Sequence, residues 1–141
     1  GAIWAGAPHT EADDAILRGQ QAGKSRQMNS LAKDMRDSTF MLHNMAVDPE
    51  FRNKGFGRSL LLQVTEEATL AGKSLLWGVA SADALDFYRR TSLEVAPTEG
   101  ILTLSNAPGA IYGLPLDGES RWVYRHLKRP SKVRAGFKPL V

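Results

Sequence analysis

The sequence predicts an α/β fold, a mixed β-sheet flanked by helices, and three observations predict it. Phe40 to Val47 is a short, mostly apolar run of strand length. From Arg58 the apolar residues Leu60, Leu61, Val64 and Ala68 recur at helical spacing. Leu75 to Ala80 is a second apolar run, followed by a helix-like segment from Ala82 to Arg90. Strand, helix, strand and helix in that order argue for parallel neighbours joined by a right-handed crossover. A chain of 141 residues has room for one domain.

In chain order, Ala2 to Ala5 reads as a strand closed by Pro8. Thr10 with Asp13 three residues on resembles a capping box, and a helix is expected from there through Leu17, interrupted by Gly19 and Gly23. Met28, Leu31 and Met35 mark a second amphipathic helix to about Arg36, and Asp37-Ser38 breaks it before the central strand. Pro49 cannot donate to a sheet, so that strand must stop before it. Ala71-Gly72 ends the central helix. Ser81 is placed to cap the next helix, with Asp83 in its first turn. Leu93 to Val95 and Ile101 to Leu104 are strand-like, while Asn106 to Gly109 and Leu116 to Glu119 read as turns. Arg121 to Leu127 alternates as a last strand ended by Pro130. Residues 1–129 are therefore expected as the domain and 130–141 as a basic tail.

Composition narrows the chemistry. The hydrophobic share of 43% and charged share of 23% are those of an ordinary globular protein. No apolar stretch is long enough to span a bilayer, so no membrane partner is expected. Zero cysteines exclude disulfides, thiolate catalysis and Cys-based metal sites from these residues, and are compatible with a reducing cytoplasm. Three widely spaced histidines without paired carboxylates do not make a metal site, so none is expected. A net charge of +3 suits a polyanionic ligand.

The segment between strand and helix carries the most specific signal. Gly55 and Gly57 let the chain turn with its backbone exposed. The first N–H groups of the helix that follows have no internal acceptor and carry the positive end of its dipole. Arg52, Lys54 and Arg58 add positive charge around the same turn. Together these residues predict a pyrophosphate site. A Walker loop is absent, and a dinucleotide fingerprint would need a third glycine where Leu60 stands. What does fit is Arg/Gln-x-x-Gly-x-Gly/Ala after a strand ending Val-x-Pro: Val47-Asp48-Pro49, then Arg52-Asn53-Lys54-Gly55-Phe56-Gly57.

This segment resembles the acetyl-CoA loop of the GNAT-type N-acetyltransferases. The resemblance covers roughly Thr39 to Arg129 and is clearest from Leu42 to Tyr88. It implies the GNAT acyl-CoA N-acyltransferase fold, with a central mixed sheet splayed at the CoA cleft. It further implies that backbone near Met45, Ala46 and Val47 holds the pantetheine arm. The loop residues Arg52, Asn53, Lys54, Gly55, Phe56, Gly57 and Arg58 would take the pyrophosphate, with Arg52 alternatively pairing a neighbouring carboxylate. Ala80-Ser81 to Phe87-Tyr88 is similar to the second CoA segment, which adds Ser81 and Phe87 to the cofactor contacts. Its tyrosine, Tyr88, would protonate the departing thiolate, and an ordinary tyrosine pKa keeps it a donor at neutral pH. On spacing alone Phe87 and Tyr88 read equally as core aromatics.

Many family members carry a general-base glutamate where this chain has Met41, which cannot act. Leu42-His43-Asn44-Met45-Ala46-Val47 and Phe51-Arg52 resemble the arylalkylamine acetyltransferases, which place a catalytic histidine at His43. An imidazole titrates near neutrality, so it could serve as base; the alternative is a structural histidine. His9 and His126 are weaker candidates, and Glu66 and Glu67 read as a solvated helix face.

The sequence also departs from the family. Ser92-Leu93 stands where Gly-Phe is usual after the tyrosine. Only Ala2 to Ala5 and the segment to Arg36 precede the loop strand, where the family has a strand, two helices and further strands. The chain is therefore expected to begin inside the family domain, Gly1-Ala2 being a cut site or cloning scar. An open sheet edge would then favour a homodimer or a complementing chain. From Arg121 onward the chain is basic with no acidic residue, which reads as a solvated, partly disordered end; a nucleic-acid partner is not expected. The resemblance implies an enzyme that moves acetyl from acetyl-CoA to a small-molecule primary amine. The alternative is a non-catalytic CoA-binding module, favoured by Met41 and the short N-terminal part.

Overall fold

The computed structural model describes residues 2–6, 26–46, 55–106, 111–116, 118–128 and 130–140, with backbone alone at 2–6 and 43–46. A first strand β1 (Ala2–Gly6) precedes helix α1 (Arg26–Ser38), which runs without a loop into β2 (Thr39–Ala46). Helix α2 (Phe56–Leu70), β3 (Leu75–Ala80), a 3₁₀ turn (Ala82–Ala84) and the short helix α3 (Leu85–Arg89) follow. The remaining strands are β4 (Glu94–Val95), β5 (Gly100–Asn106), β6 (Ile111–Leu116), β7 (Arg121–His126) and β8 (Val133–Pro139). The strands form two sheets, one ordered β1-β2-β3-β7-β4 and one ordered β6-β5-β8. β2 and β3 are parallel, as the strand-helix-strand pattern predicts, and the other pairings are antiparallel.

The five-stranded sheet buries both faces because its strands alternate between two cores. On one face Trp77 and Trp122 pack with Leu31 and Met35 of α1 and with Leu102, Leu104 and Val133 of the second sheet. On the other, Leu42, Leu76, Ala80 and Val123 pack with Leu61 and Val64 of α2 and with Tyr88 of α3. The apolar spacing read in α1 and α2 is thus the spacing that meets these cores: Leu31 and Met35 are buried in the first helix, Leu61, Val64 and Ala68 in the second.

The base of the β2–β3 pair is pinned. Ser74 donates its backbone N–H to Ser38 O at 2.7 Å and its hydroxyl to the same oxygen at 3.2 Å. Lys73 Nζ donates to Asp37 O at 2.9 Å, which satisfies a carbonyl at the α1 C-terminus that has no helical donor. Thr39, fully buried, donates to Met35 O at 2.6 Å and accepts from Trp77 Nε1 at 3.2 Å. Asp37-Ser38 is therefore the last part of the helix rather than a break.

Three further expectations are corrected. The basic stretch after residue 129 contains β8, whose Val133 is fully buried and whose backbone pairs with β5 from Gly100↔Pro139 to Asn106↔Val133. Its Arg134 and Lys138 are exposed while Val133, Ala135 and Phe137 face the core, so charge and a strand coexist. Ile111–Leu116, which the sequence left without an element, is the edge strand β6, and Gly113 and Pro115 are tolerated there because it is an edge. The helix expected from Ala82 to Arg90 is a 3₁₀ turn and then five α-helical residues. Asp34 ties the two layers together: its carboxylate accepts from Asn106 Nδ2 at 2.8 Å and lies 3.3 Å from Lys132 Nζ. The first helix expected from Thr10 to Leu17 falls outside the described residues.

Candidate active site

The site is built where β2 and β3 part. Their pairing runs from Thr39↔Leu75 to Leu42↔Gly78 and ends there, while β2 continues to Ala46 and β3 to Ala80. Gly78 allows the last rung: a Cβ at this position would lie 2.8 Å from both Leu42 Cβ and Leu42 O. Beyond it, Met45 and Ala46 keep their partners Ile3 and Ala2 on β1 but have no strand partner on the β3 side among the described residues. An extended ligand can lie in that gap and bond to the free backbone edge.

The β1 pairing carries a second feature. Trp4 pairs with Asn44 and the next residue, Ala5, with Leu42, so His43 is an extra residue of β2 and forms a bulge. Bulges re-aim side chains and often stand beside active sites. His43 is thus positioned at the level of the split, one residue after the last β2–β3 rung.

Helix α2 begins at the same end. Gly55 takes the left-handed conformation (φ 84°, ψ 2°) that only glycine adopts readily, and a Cβ there would meet nothing within 4 Å. The N-cap residue is Gly55, which has no side chain to cap the helix, and the first turn holds no acidic residue. Gly55, Phe56 and Arg58 are exposed. A helix start of this kind attracts anions. Gly57 lies inside the first helical turn, so the positive-φ turn is made by Gly55 alone. Val47, Arg52, Asn53 and Lys54 lie outside the described residues.

Ser81 occupies the N-cap position of the 3₁₀ turn with an extended backbone, but its side chain makes no capping bond. It is exposed, which leaves its hydroxyl available at the upper end of β3. Phe87 and Tyr88 stack edge to face with ring centroids 5.2 Å apart. Tyr88 is 4% exposed and belongs to the core cluster that includes Leu42 and Ala80, the residues flanking the split. Burial pushes its phenol pKa above 10.0, so it holds its proton at neutral pH. Met41 is half-buried against the opposite core. His126 accepts the Ala135 N–H at 3.1 Å and so ties β7 to β8, away from any role at the split. His9 lies outside the described residues.

Sequence reasoning placed the turn and the helix start where the structure has them, but did not find the bulge or the close approach at Gly78. The Gly78 signal was readable: a glycine inside a buried strand marks a close backbone approach. The bulge depends on pairing with β1, and no local pattern carries it.

Comparison with known proteins places this geometry. A family model described as Acetyltransferase (GNAT) domain matches residues 13–91, more than half of the chain. An uncharacterized N-acetyltransferase of Methanocaldococcus jannaschii is 38% identical over 56 residues, which are 38% of this chain. The match spans 25% of that relative's length. Among solved structures, mosquito arylalkylamine N-acetyltransferase-like 5b is similar with a TM-score of 0.50 and 17% identity, over 88% of this chain and 66% of that one. The Salmonella typhimurium protein yncA, solved with its cofactor acetyl-CoA, gives a TM-score of 0.48 and 21% identity, over 68% of this chain and 52% of that one.

Proposed function

The chain belongs to the GNAT acetyltransferase family, and on that premise we propose that it transfers the acetyl group of acetyl-CoA directly to a primary amine of a small molecule. The observation that carries this reading is the parting of β2 and β3 after Leu42↔Gly78, at the end of the sheet where α2 begins at Gly55. A diphosphate held at Gly55, Phe56, Gly57 and Arg58, with Arg52, Asn53 and Lys54 beside it, would aim the pantetheine arm into that split. The backbone of Met45 and Ala46, with that of Val47 after them, would bond to the arm, and Ser81 and Phe87 would flank it.

In the reaction the amine nitrogen attacks the thioester carbonyl and a C–N bond forms. The tetrahedral intermediate is stabilised by a backbone N–H of β2 left without a partner by the split. The C–S bond then breaks, and Tyr88 gives its proton to the departing thiolate. His43 accepts the proton that the amine loses, directly or through water. Both substrates are bound together and no acyl-enzyme forms. The amine identity, a homodimer or complementing chain, and a cytoplasmic setting belong to this proposal; the absence of cysteine fits the last. No helix among the described residues is long and apolar enough to cross a membrane.

Tyr88 at 4% exposure favours a second reading, a CoA-binding module in which the tyrosine only packs. Acetyl-CoA consumption measured against a panel of arylalkylamines separates the two. Turnover that is lost in His43→Gln and Tyr88→Phe supports the enzyme. Saturable CoA binding with no turnover on any amine supports the module.

A further inference from the structure

The second sheet ends in an open edge. Its order is β6-β5-β8, so β6 pairs with β5 on one side and with no strand among the described residues on the other. Which backbone groups of β6 face that side follows from β8. Ala135 donates its N–H to His126 Nε2 at 3.1 Å, so this N–H points away from β5. In an antiparallel ladder bonded and non-bonded pairs alternate, and a central strand turns successive residues to opposite neighbours. Leu104, the register partner of Ala135, therefore bonds to its other partner, Tyr112 of β6. The backbone groups of Tyr112, Leu114 and Leu116 then point at β5, and those of Ile111, Gly113 and Pro115 point outward. The place of Pro115 agrees, since an edge strand takes proline where its missing N–H would face away from the sheet.

Open edges ordinarily carry charges, bulges or a cover. Ile111–Leu116 holds no charged residue, its register with β5 runs without a shift, and Ile111 is 66% exposed. Pro115 removes one outward donor and leaves those of Ile111 and Gly113. On the inward face Tyr112, Leu114 and Leu116 pack on the core that holds Trp77 and Trp122 but stay half-buried. Leu102 and Leu104 beside them on β5 are fully buried. One more strand along β6 would complete that cover.

We infer that β6 is the contact through which two copies of this chain pair, antiparallel, with the twofold axis at Gly113. In that register Gly113 of each copy gives its N–H to the carbonyl of the other, and each Ile111 N–H reaches the carbonyl of the partner's Pro115. Each outward donor then has an acceptor, and the bond that proline cannot make falls at the end of the strand. Charge agrees with this arrangement. Glu99 and Glu119 stand at the Leu116 end of the sheet, while Arg134 is level with Ile111 through their shared partner Ser105. Antiparallel pairing sets the acidic end of each copy beside the basic end of the other. The contact uses the same patch on both copies, so it closes as a dimer and does not propagate as a filament. It is one strand wide, which makes the dimer concentration-dependent. The β2–β3 split lies in the other sheet, so the inference stands apart from the acetyl-transfer reading.

Sedimentation equilibrium over a concentration series, with backbone hydrogen exchange read residue by residue, tests it. The mass should rise with concentration from 15.4 kDa toward twice that value. Over the same series exchange should slow at Ile111 and Gly113, whereas Tyr112 and Leu114 should be protected at every concentration. Gly113→Pro removes the two central bonds, and the position has room for it, because a Cβ there meets only the end of the Ile101 side chain, at 3.0 Å. It should raise the concentration of half-association roughly tenfold or more, the loss of two neutral hydrogen bonds. Should Gly113→Pro fail to fold, Ile111→Lys puts a charge on the exposed end of the edge and should weaken association in the same way. A chain that keeps its single-copy mass at every concentration overturns the assignment. So does a dimer whose Ile111 and Gly113 amides still exchange fast, or one that both variants leave intact. Neither readout needs CoA or an amine, so failure here leaves the acetyl-transfer reading untouched.

Discussion

Gly78→Ala is the sharpest perturbation of the split. The added Cβ would come 2.8 Å from Leu42 Cβ and 2.8 Å from Leu42 O. Neither atom is the free end of a side chain, so relief requires the β2 backbone to move at the root of the cleft. Overpacking of this kind costs about 1–3 kcal/mol. For a chain of 141 residues that lowers the melting temperature by roughly 3–12 °C. Circular dichroism on heating, supported by urea unfolding, measures it. The double variant Leu42→Ala/Gly78→Ala is the control. Leu42→Ala retains the offending Cβ and carbonyl, so it should not rescue Gly78→Ala but add its own cavity cost of ~2–5 kcal/mol. A melting temperature unchanged in Gly78→Ala, or recovery in the double variant, would refute the close approach as the reason for the glycine.

Other expectations follow from the same structure. Thr39→Val keeps the shape of a fully buried side chain but removes the acceptor of Trp77 Nε1 and a bond to Met35 O; urea unfolding should show a loss of ~1–3 kcal/mol, and a loss under about 0.5 kcal/mol would contradict that role. Val133→Ala should cost ~1–3 kcal/mol, and a chain ended at residue 129 should melt lower still, because β8 closes the second sheet; equal melting of the shortened chain would remove β8 from the fold. Burial raises the pKa of Tyr88, and burial with a hydrogen bond and charge from Glu94 raises that of Tyr124 to about 12. The folded state then holds these protons more tightly than the unfolded one, so stability is full below pH 10.0 and declines as pH rises toward about 12. Tyr124→Phe should flatten the decline in a pH series of urea unfolding, and an unchanged slope would contradict it.

Local patterns showed α1, β2, α2 and β3 because each has one stretch of regular apolar spacing and meets a core with it. Leu31 and Met35, or Leu61 and Val64, are visible as pairs before any partner is known. Of the second sheet only β5 was legible. β6 carries Gly113 and Pro115, β8 carries Gly136 and Pro139, and their stability comes from β5, so turn residues and charge outweighed alternation. The helix start at Gly55 was legible from glycine and charge, whereas Gly57 was assigned to the turn although it is helical. The bulge at His43 and the exposure of Val79 depend on how three strands pair, and sequence spacing does not encode that.

The central claim is that the amides opening α2 hold a diphosphate. Hydrogen exchange of the backbone at Phe56, Gly57 and Arg58, followed during titration with CoA, tests it directly. The account requires saturable binding that slows exchange at these amides, and weaker binding in Gly55→Ala, where φ 84° resists a side chain. Exchange that stays unchanged at saturating CoA, or no binding at all, would contradict it.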